Sequence, residues 1–344
     1  MTGAPGGGAE RAVICGIGHR LPDRIVTSAE LGERLDTPED WIVGRTGISR
    51  RRWVGPGEAT SDLAVGAGRA ALKSAGGGQI DAVVLATTTP DRRCPATAPE
   101  VAARLGLGEV AAFDVSAVCT GFLYGLATGA GFLAAGLADR VLVIAAEAFS
   151  TLLDPDDRTT LPIFGDGAGA VVLRRGRADE PGALGPLVLG SDGERADLIT
   201  VGAGGARHPF PAPDDGSRYF RMRGREVFRQ SVERMSAAAG TALDRAGWTL
   251  DDVDRVVTHQ ANARVSAALA ERLGLPRELF AQNIGEVGNT AAASIPVLLA
   301  QAAADGGVEP GGRLLLLAFG GGLTWGATTL TWPHLELHDA QGIG

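Results

Sequence analysis

Short apolar runs alternate with amphipathic helical patterns along most of the chain. Apolar runs that predict buried strands occupy residues 11–18, 80–88, 109–117, 140–148 and 165–176, and then 253–262, 312–322 and 325–332. Helical patterns cover 27–35, 61–75, 96–105, 224–246, 263–273 and 290–304, and a helix of small residues begins near Cys119. Because buried strands separated by helices are typical of sheets covered on both faces, the pattern predicts an α/β fold.

A segment rich in glycine, proline and aspartate, residues 176–217, divides this pattern into two similar parts. Each part resembles a strand–helix unit, which is consistent with an internal duplication. We therefore predict an N-terminal half at 11–176 and a C-terminal half at 177–332. They are flanked by a flexible N-terminus at 1–10 and a C-terminal tail at 333–344.

Composition restricts the class of protein. The 344 residues are 45% hydrophobic and 21% charged, ordinary values for a globular protein with a sizeable core. The net charge of −8 argues against a general nucleic-acid binder, which usually carries a basic excess. The sequence shows neither a signal peptide nor an apolar run with the length and flanks of a membrane span. Three cysteines are too few for a disulfide framework, so a cytoplasmic protein is predicted.

The first residue with candidate chemistry is Cys119, where an apolar run gives way to the small-residue helix. A thiol at a helix N-terminus experiences the positive end of the helix dipole, which can lower its pKa and favour the nucleophilic thiolate. The small neighbours Thr120 and Gly121 allow a substrate carbonyl to approach closely. Free cysteine is also among the most frequently buried residues, so this stretch alone fits a structural thiol equally well.

Three further motifs lie in the C-terminal half. His259 follows a buried strand in VVTHQAN, and strand ends are a usual position for active-site residues in α/β proteins. Asn289 follows Gly288, with Thr290 placed to cap the next helix, although turn and capping roles also suit the asparagine itself. Three consecutive glycines at 320–322 expose backbone N–H groups that could form half of an oxyanion hole or a tight hairpin.

Five motifs, taken in order, resemble the β-ketoacyl-acyl-carrier-protein synthase III family of thiolase-fold ketosynthases. They are DVSAVCTGF, IFGDGAGA, HQAN, GNTAAAS and FGGGLTWGA, and EDWIVGRTGI at 39–48 adds a sixth. The similarity covers residues 11–332, nearly the whole chain. It implies a thiolase fold with a duplicated five-layer αβαβα architecture, and it implies a homodimer.

The resemblance also implies roles for individual residues. Cys119 matches the acyl-accepting nucleophile, and His259 and Asn289 match the pair that supports decarboxylation. Gly321 matches the residue that completes the oxyanion hole together with the Cys119 N–H. The implied substrate- and coenzyme-A-binding residues are Trp41, Arg45, Arg158, Phe164, Gly224, Phe228, Ala261, Asn262 and Phe319, with Trp41 and Arg158 flanking the adenine.

The implied reaction has two steps and requires no metal or redox cofactor. An acyl group passes from acyl-CoA to Cys119, and a malonyl group on an acyl carrier protein then loses CO₂ and attacks the acyl group. Carrier proteins are typically acidic, so Arg264, Arg221 and Arg225 are expected to dock one despite the acidic total charge. An ordinary solvated helix start is the alternative explanation for the basic stretch at 217–230. The sequence also lacks the clustered cysteine and histidine spacing of a zinc site.

Two positions depart from the family pattern. Thr120 follows the nucleophile where the family often has alanine or glycine. Cys94 falls near a position that in some members carries a bulky aromatic residue reaching into the acyl pocket of the partner subunit. We therefore interpret Cys94 as the acyl-pocket gate, and its small size predicts a primer larger than acetyl.

Three alternative functions stay open. A relative of the same fold could transfer the acyl group to an alcohol, an amine or a carrier thiol without condensation, although the His259–Asn289 pair favours condensation. The order Cys119, His259, Asn289 also fits a papain-like protease, but the local cysteine motif of that family is absent. The third is a catalytically inactive scaffold, against which the intact set of reactive residues argues. Fatty-acid initiation and polyketide starter priming both use the implied chemistry.

Overall fold

The computed structural model describes residues 10–210 and 216–338. The strands and helices of the first half are β1 Glu10–Arg20, β2 Arg24–Thr27, α1 Ser28–Arg34, α2 Glu39–Thr46, β3 Arg50–Trp53, α3 Thr60–Ser74, β4 Ala82–Ala86, α4 Ala98–Arg104, β5 Ala111–Val115, α5 Gly121–Ala134, β6 Arg140–Glu147 and β7 Gly167–Arg177. Those that follow are β8 Val188–Ser191, β9 Ile199–Val201, β10 Phe220–Met222, α6 Gly224–Ala246, β11 Arg255–Thr258, α7 Ala263–Leu273, α8 Ile284–Val287, α9 Ser294–Ala304, β12 Arg313–Gly320 and β13 Thr324–Thr331.

Two mixed sheets form the framework. The first has five strands in the order β1-β7-β6-β4-β5, of which β6, β4 and β5 run parallel while β7 and β1 are antiparallel to their neighbours. The second has four strands in the order β11-β12-β13-β8, in which only the β11–β12 pair is parallel. The parallel pairs are connected through helices, as parallel neighbours require.

Helices cover both faces of both sheets. Successive strand residues point to opposite faces, so a strand buried on both sides is apolar throughout. Phe122 and Leu126 of α5 and Leu298 of α9 share one core with Val143 of the first sheet and Leu316 of the second. The pair α3 and α4 covers the outer face of the first sheet, and α6 and α7 cover the outer face of the second. This order of layers confirms the predicted αβαβα architecture.

The differences from the sequence prediction concern short elements. The pattern at 290–304 contains a 3₁₀ turn, Ala291–Ala293, before α9 begins. The paired strands β2 and β3 and the helix α2 were not predicted, because elements of four to eight residues contain too little periodicity. Residues 1–9 and 339–344 of the predicted flexible ends lie outside the described residues, and the division at 176/177 stays a prediction. Among the described residues, no helix combines the length and apolar character needed to cross a bilayer.

The packing of α3 on the first sheet depends on Gly18 in β1. A Cβ there would overlap the backbone nitrogen of Ala71 and lie 2.5 Å from the Cβ of Ala70. We predict that Gly18→Ala lowers the free energy of unfolding by about 1–3 kcal/mol, because an overpacked core forces the backbone to shift. The control Gly240→Ala, in α6 where a Cβ meets nothing within 4 Å, should be neutral or stabilise by up to about 1 kcal/mol. Urea unfolding measures both, and equal effects would contradict the prediction.

Candidate active site

Cys119 lies in a 3₁₀ turn, Val118–Thr120, where β5 leads into α5. The structure therefore confirms its predicted position at a helix N-terminus. The residue is buried, with 8% of its surface exposed. Val118, directly before it, has a φ of 47°, in the left-handed region that β-branched residues rarely adopt. Such strain persists where the surrounding structure fixes the backbone, and it is common at active sites.

The predicted lowering of the Cys119 pKa is wrong for this site. Burial raises the pKa of Cys119 well above its ordinary value, and the nearby charge of Glu147 raises it further. Desolvation is the larger of these two causes. The thiol is protonated at neutral pH, so a base has to accept its proton when it acts as a nucleophile.

His259 follows the last residue of β11, which confirms its predicted strand-end position. Its backbone N–H donates to the Leu317 carbonyl at 2.7 Å, and its Nδ1 lies 2.7 Å from the hydroxyl oxygen of Ser294, the first residue of α9. Burial lowers the pKa of His259 to about 4. The imidazole is therefore neutral at pH 7, and Ser294 is the hydrogen-bond partner of its Nδ1.

Asn289 is held by hydrogen bonds on both of its backbone groups. Its N–H donates to the Ile163 carbonyl at 2.9 Å, and its carbonyl accepts the Gly165 N–H at 2.9 Å. The side-chain oxygen accepts the Ala291 N–H at 2.8 Å, so the NH₂ group is the part available to a substrate. Thr290, predicted to cap the next helix, makes no side-chain capping bond. The Asn289 side chain accepts the hydrogen bond from this turn instead.

The glycine loop, Gly320–Gly322, is the turn of the β12–β13 hairpin and also contacts Cys119. A Cβ on Gly320 would lie 2.8 Å from the backbone nitrogen of Cys119, closer than side chains approach. Of the three glycines only Gly322 has a positive φ, 131°. Glycine is thus required for close approach at one position and for backbone conformation at another.

A cavity of about 720 Å³ brings the reactive residues together. Cys119, His259 and Asn289 all line it. The other predicted residues on its wall are Trp41, Arg45, Arg158, Phe164, Gly224, Arg225, Phe228, Ala261, Asn262, Arg264 and Phe319. The structure therefore gathers nearly all the predicted site residues around one space.

Three predicted residues do not line this cavity. Gly320, rather than Gly321, forms its wall at the glycine loop. Arg221 forms ion pairs with Asp154 at 2.8 Å and Asp157 at 3.6 Å, so its charge is already partnered. Cys94 is exposed away from the cavity.

The cavity has a basic, partly exposed region and an aromatic interior. The guanidinium of Arg45 lies 5.0 Å from the ring centroid of Trp41, a cation–π distance. Deeper in, the rings of Phe149 and Phe164 stack with centroids 4.4 Å apart, and Phe220 packs edge-on against both. This arrangement suits a substrate with a charged, planar end and an apolar end.

Sequence reasoning missed two buried polar residues at the site. Glu147 ends β6, and its carboxylate accepts the Thr88 N–H at 3.1 Å and the Thr89 hydroxyl at 2.9 Å. Burial raises the pKa of Glu147 to about 7. A carboxylate that ends an otherwise apolar strand, RVLVIAAE, is a signal that could have identified it. Ser294 had no signal beyond its place at a helix start.

Comparison with known proteins assigns the chain to a family. The model described as 3-oxoacyl-[acyl-carrier-protein] synthase III matches residues 113–193, and the model of its C-terminal part matches residues 243–332. β-Ketoacyl-[acyl-carrier-protein] synthase III 3 of Streptomyces coelicolor is 61% identical over 329 residues, which cover 94% of this chain and 98% of the relative. The chain belongs to the β-ketoacyl-[acyl-carrier-protein] synthase III family.

Solved structures of synthase III enzymes share this fold along nearly the full length. The 3-oxoacyl-(acyl carrier protein) synthase III of Pseudomonas aeruginosa PAO1 has a TM-score of 0.89 and 49% identity, covering 95% of this chain and 99% of that one. The priming β-ketosynthase of the R1128 polyketide pathway has a TM-score of 0.86 and 34% identity, covering 96% and 99%. These comparisons confirm the thiolase fold and the acyltransferase class predicted for this synthase III family member, and the papain-like alternative is wrong. Among residues 10–210 and 216–338, no cluster of three potential metal ligands is found.

Glu147 allows a test of the electrostatics at the thiol. Glu147→Gln should lower the pKa of Cys119, because removing a nearby negative charge favours the thiolate. At about pH 8, where the wild-type Glu147 is ionised, iodoacetamide should therefore alkylate Cys119 faster in the variant. Below about pH 6 the wild-type carboxyl is protonated, so the two rates should converge.

The exposed Glu109, just before β5, provides the control for this measurement. Glu109→Gln should leave the alkylation rate unchanged at both pH values. Equal rates for Glu147→Gln and wild type at the higher pH would contradict the prediction.

Proposed function

We propose that this protein transfers an acyl group from acyl-CoA to Cys119 and condenses it with a malonyl group on an acyl carrier protein, with loss of CO₂. The product is a β-ketoacyl-carrier protein. The observation that carries the proposal is the convergence of Cys119, His259 and Asn289 on one cavity, in a chain of the synthase III family. The three residues supply a nucleophile, a neutral imidazole and an amide donor.

In the first step the Cys119 thiol attacks the thioester carbonyl of acyl-CoA. The neutral His259 accepts the thiol proton at Nε2 as the new C–S bond forms. Charge develops on the carbonyl oxygen, where the N–H groups of Cys119 and Gly321 are proposed to receive it. The C–S bond to coenzyme A then breaks, and its thiolate takes the proton from His259.

In the second step a malonyl thioester occupies the same cavity. The C–C bond to its carboxylate breaks, CO₂ leaves, and the electron pair forms an enolate. The Nε2–H of His259 and the NH₂ of Asn289 donate to the thioester oxygen, where this charge accumulates. The enolate carbon attacks the acyl group, and Cys119 leaves as a thiolate that regains a proton from water. Every group in this scheme belongs to the protein or its substrates, so we assign no metal or redox cofactor.

The basic region of the cavity is proposed to bind the nucleotide and the carrier protein. The ring of Trp41 and the guanidinium groups of Arg45 and Arg158 suit an adenine and its phosphates. Arg264 and Arg225, on the same wall, are proposed to attract an acidic carrier protein. The remaining proposed coenzyme A contacts are Phe164, Gly224, Phe228, Ala261, Asn262 and Phe319. Arg221 contributes less, because Asp154 and Asp157 already neutralise it.

We also propose a primer larger than acetyl and a homodimer as the functional unit. A second cavity of about 750 Å³ shares the wall residues Val118, Phe149, Ile199 and Phe220 with the first. Cys94 is exposed, and its neighbour in sequence, residue 93, lines this second cavity. If Cys94 faces the acyl pocket of the partner subunit, its small side chain leaves space there for a primer longer than acetyl.

The dimer is proposed to be cytoplasmic, since the chain has three free cysteines and no paired ones among the residues described. In it, the half at 11–176 supplies Cys119, and the half at 177–332 supplies His259 and Asn289. Both halves of one chain are therefore needed for a complete site.

Intact-protein mass spectrometry tests the two steps separately. Wild-type protein exposed to a panel of acyl-CoAs should gain the mass of one acyl group, and Cys119→Ala should not. With malonyl-carrier protein added, the carrier should bear a product extended by two carbons. Asn289→Ala should still be acylated but should lose extension by about 10²-fold or more, because it removes a donor to the enolate oxygen. Acyl transfer without two-carbon extension would favour the non-condensing alternative.

The primer proposal is tested by the size of the side chain at position 94. Wild-type protein should accept primers longer than acetyl, and Cys94→Phe should shift the preference towards acetyl-CoA because the ring fills the pocket. Cys94→Ala is the matched control and should leave the range unchanged. A wild-type protein that accepts acetyl-CoA and rejects all longer or branched primers would contradict the proposal.

A further inference from the structure

Thr120, the residue directly after Cys119, has a buried hydroxyl. The residue is 0% exposed, so bulk water does not reach its side chain. A buried hydroxyl without a hydrogen bond is unfavourable, and alanine or glycine at this position would avoid that problem. The Thr120 hydroxyl therefore needs hydrogen-bond partners within the protein.

Two hydroxyls connect the turn at Cys119 to the glycine loop. The Oγ1 of Thr120 lies 2.6 Å from the Ala117 carbonyl oxygen and 2.7 Å from the Oγ1 of Thr324. The Oγ1 of Thr324 lies in turn 2.9 Å from the Gly321 carbonyl oxygen and 3.4 Å from that of Ala117. We call the Thr120–Thr324 pair the hydroxyl clamp.

The number of protons limits how the hydroxyl clamp is bonded, since each hydroxyl has one proton to donate. Two arrangements place a proton between the two oxygens. In one, Thr120 donates to Thr324, which donates to Gly321; in the other, Thr324 donates to Thr120, which donates to Ala117. Both contain a hydrogen bond between segments 204 residues apart in sequence.

The hydroxyl clamp also adjoins the strained backbone before the nucleophile. The Ala117 carbonyl accepts the Thr120 N–H at 3.1 Å in addition to its contact with the hydroxyl. These contacts close the turn around Val118, whose φ is 47°. Because a strained conformation persists only where its surroundings fix it, Thr120 helps to hold the backbone that presents Cys119.

We propose that the hydroxyl clamp is a positioning element that fixes the separation of the two amides in the oxyanion hole. The inference rests on the proposed function, in which the N–H groups of Cys119 and Gly321 receive the thioester oxygen. The first amide belongs to Cys119, directly before Thr120. The second belongs to Gly321, whose carbonyl oxygen is in contact with the Thr324 hydroxyl. Such donors act at about 2.7–3.1 Å, so a small change in their separation weakens the stabilisation of the oxyanion.

The test compares two reactions of the same thiol. Acylation by acyl-CoA passes through an oxyanion, whereas alkylation by iodoacetamide does not, so their ratio isolates the oxyanion hole from the reactivity of Cys119. Thr120→Val keeps a similar shape without the hydroxyl and should slow acylation by about 10- to 100-fold, with alkylation within about twofold of wild type. Thr120→Ser keeps the hydroxyl and should restore acylation to within about threefold.

Further variants distinguish the clamp from a general effect of losing a threonine. Thr324→Val should slow acylation to a similar extent, and it provides the test if Thr120→Val fails to fold. The double variant should be no slower than either single variant, because both remove the same bond. The control Thr128→Val removes a hydroxyl within α5, which donates to the Tyr124 carbonyl at 2.8 Å, and should change neither rate.

Three results would contradict these proposals. Acylation of Thr120→Val and Thr324→Val within about twofold of wild type would overturn the clamp. A parallel fall in acylation and alkylation would also overturn it, because the thiol itself would then be disturbed. If no acyl-CoA acylates the wild-type protein, the proposed function fails instead.

Discussion

The two sheets of this protein meet at a close contact between the backbones of Gly320 and Cys119. The hairpin of the second sheet lies so close to the turn after β5 that no side chain fits at Gly320. That approach depends on α5 and α9 packing between the sheets, which places the N-terminus of α5 next to the hairpin. The loop with Asn289 and the strand end with His259 then reach the same cavity. The site is a product of the layer order rather than of any single loop.

Desolvation determines the charge state of this site. Burial raises the pKa of Cys119 and lowers that of His259, so both are neutral before substrate enters. A buried thiolate–imidazolium pair would have to overcome the loss of hydration of two charges. The neutral pair avoids that penalty. In the proposed reaction, charge appears only as the thioester carbonyl is attacked, and backbone donors then receive it.

The sequence predicted positions at this site better than it predicted their chemistry. An apolar run before small residues placed Cys119 at a helix N-terminus, and a strand end placed His259, because both depend on local pattern. The pKa of Cys119 was predicted in the wrong direction, since burial arises from segments far apart in sequence. The ion pairs of Arg221 were missed for the same reason, as its partners lie more than sixty residues away. The layer order and the cavity residues came from the family resemblance, not from periodicity alone.

Ser294, in contact with Nδ1 of His259, has a consequence for the proposed catalytic cycle. A hydroxyl can donate to Nδ1 or accept from it, so the 2.7 Å contact with Ser294 is compatible with both neutral tautomers. In the proposed scheme, acyl transfer starts with a bare Nε2, whereas decarboxylation starts with a proton there. A carboxylate in place of Ser294 would hold the proton on Nδ1 and favour only the first. With serine, the imidazole can exchange tautomers between the two half-reactions while its heavy atoms and net charge stay unchanged.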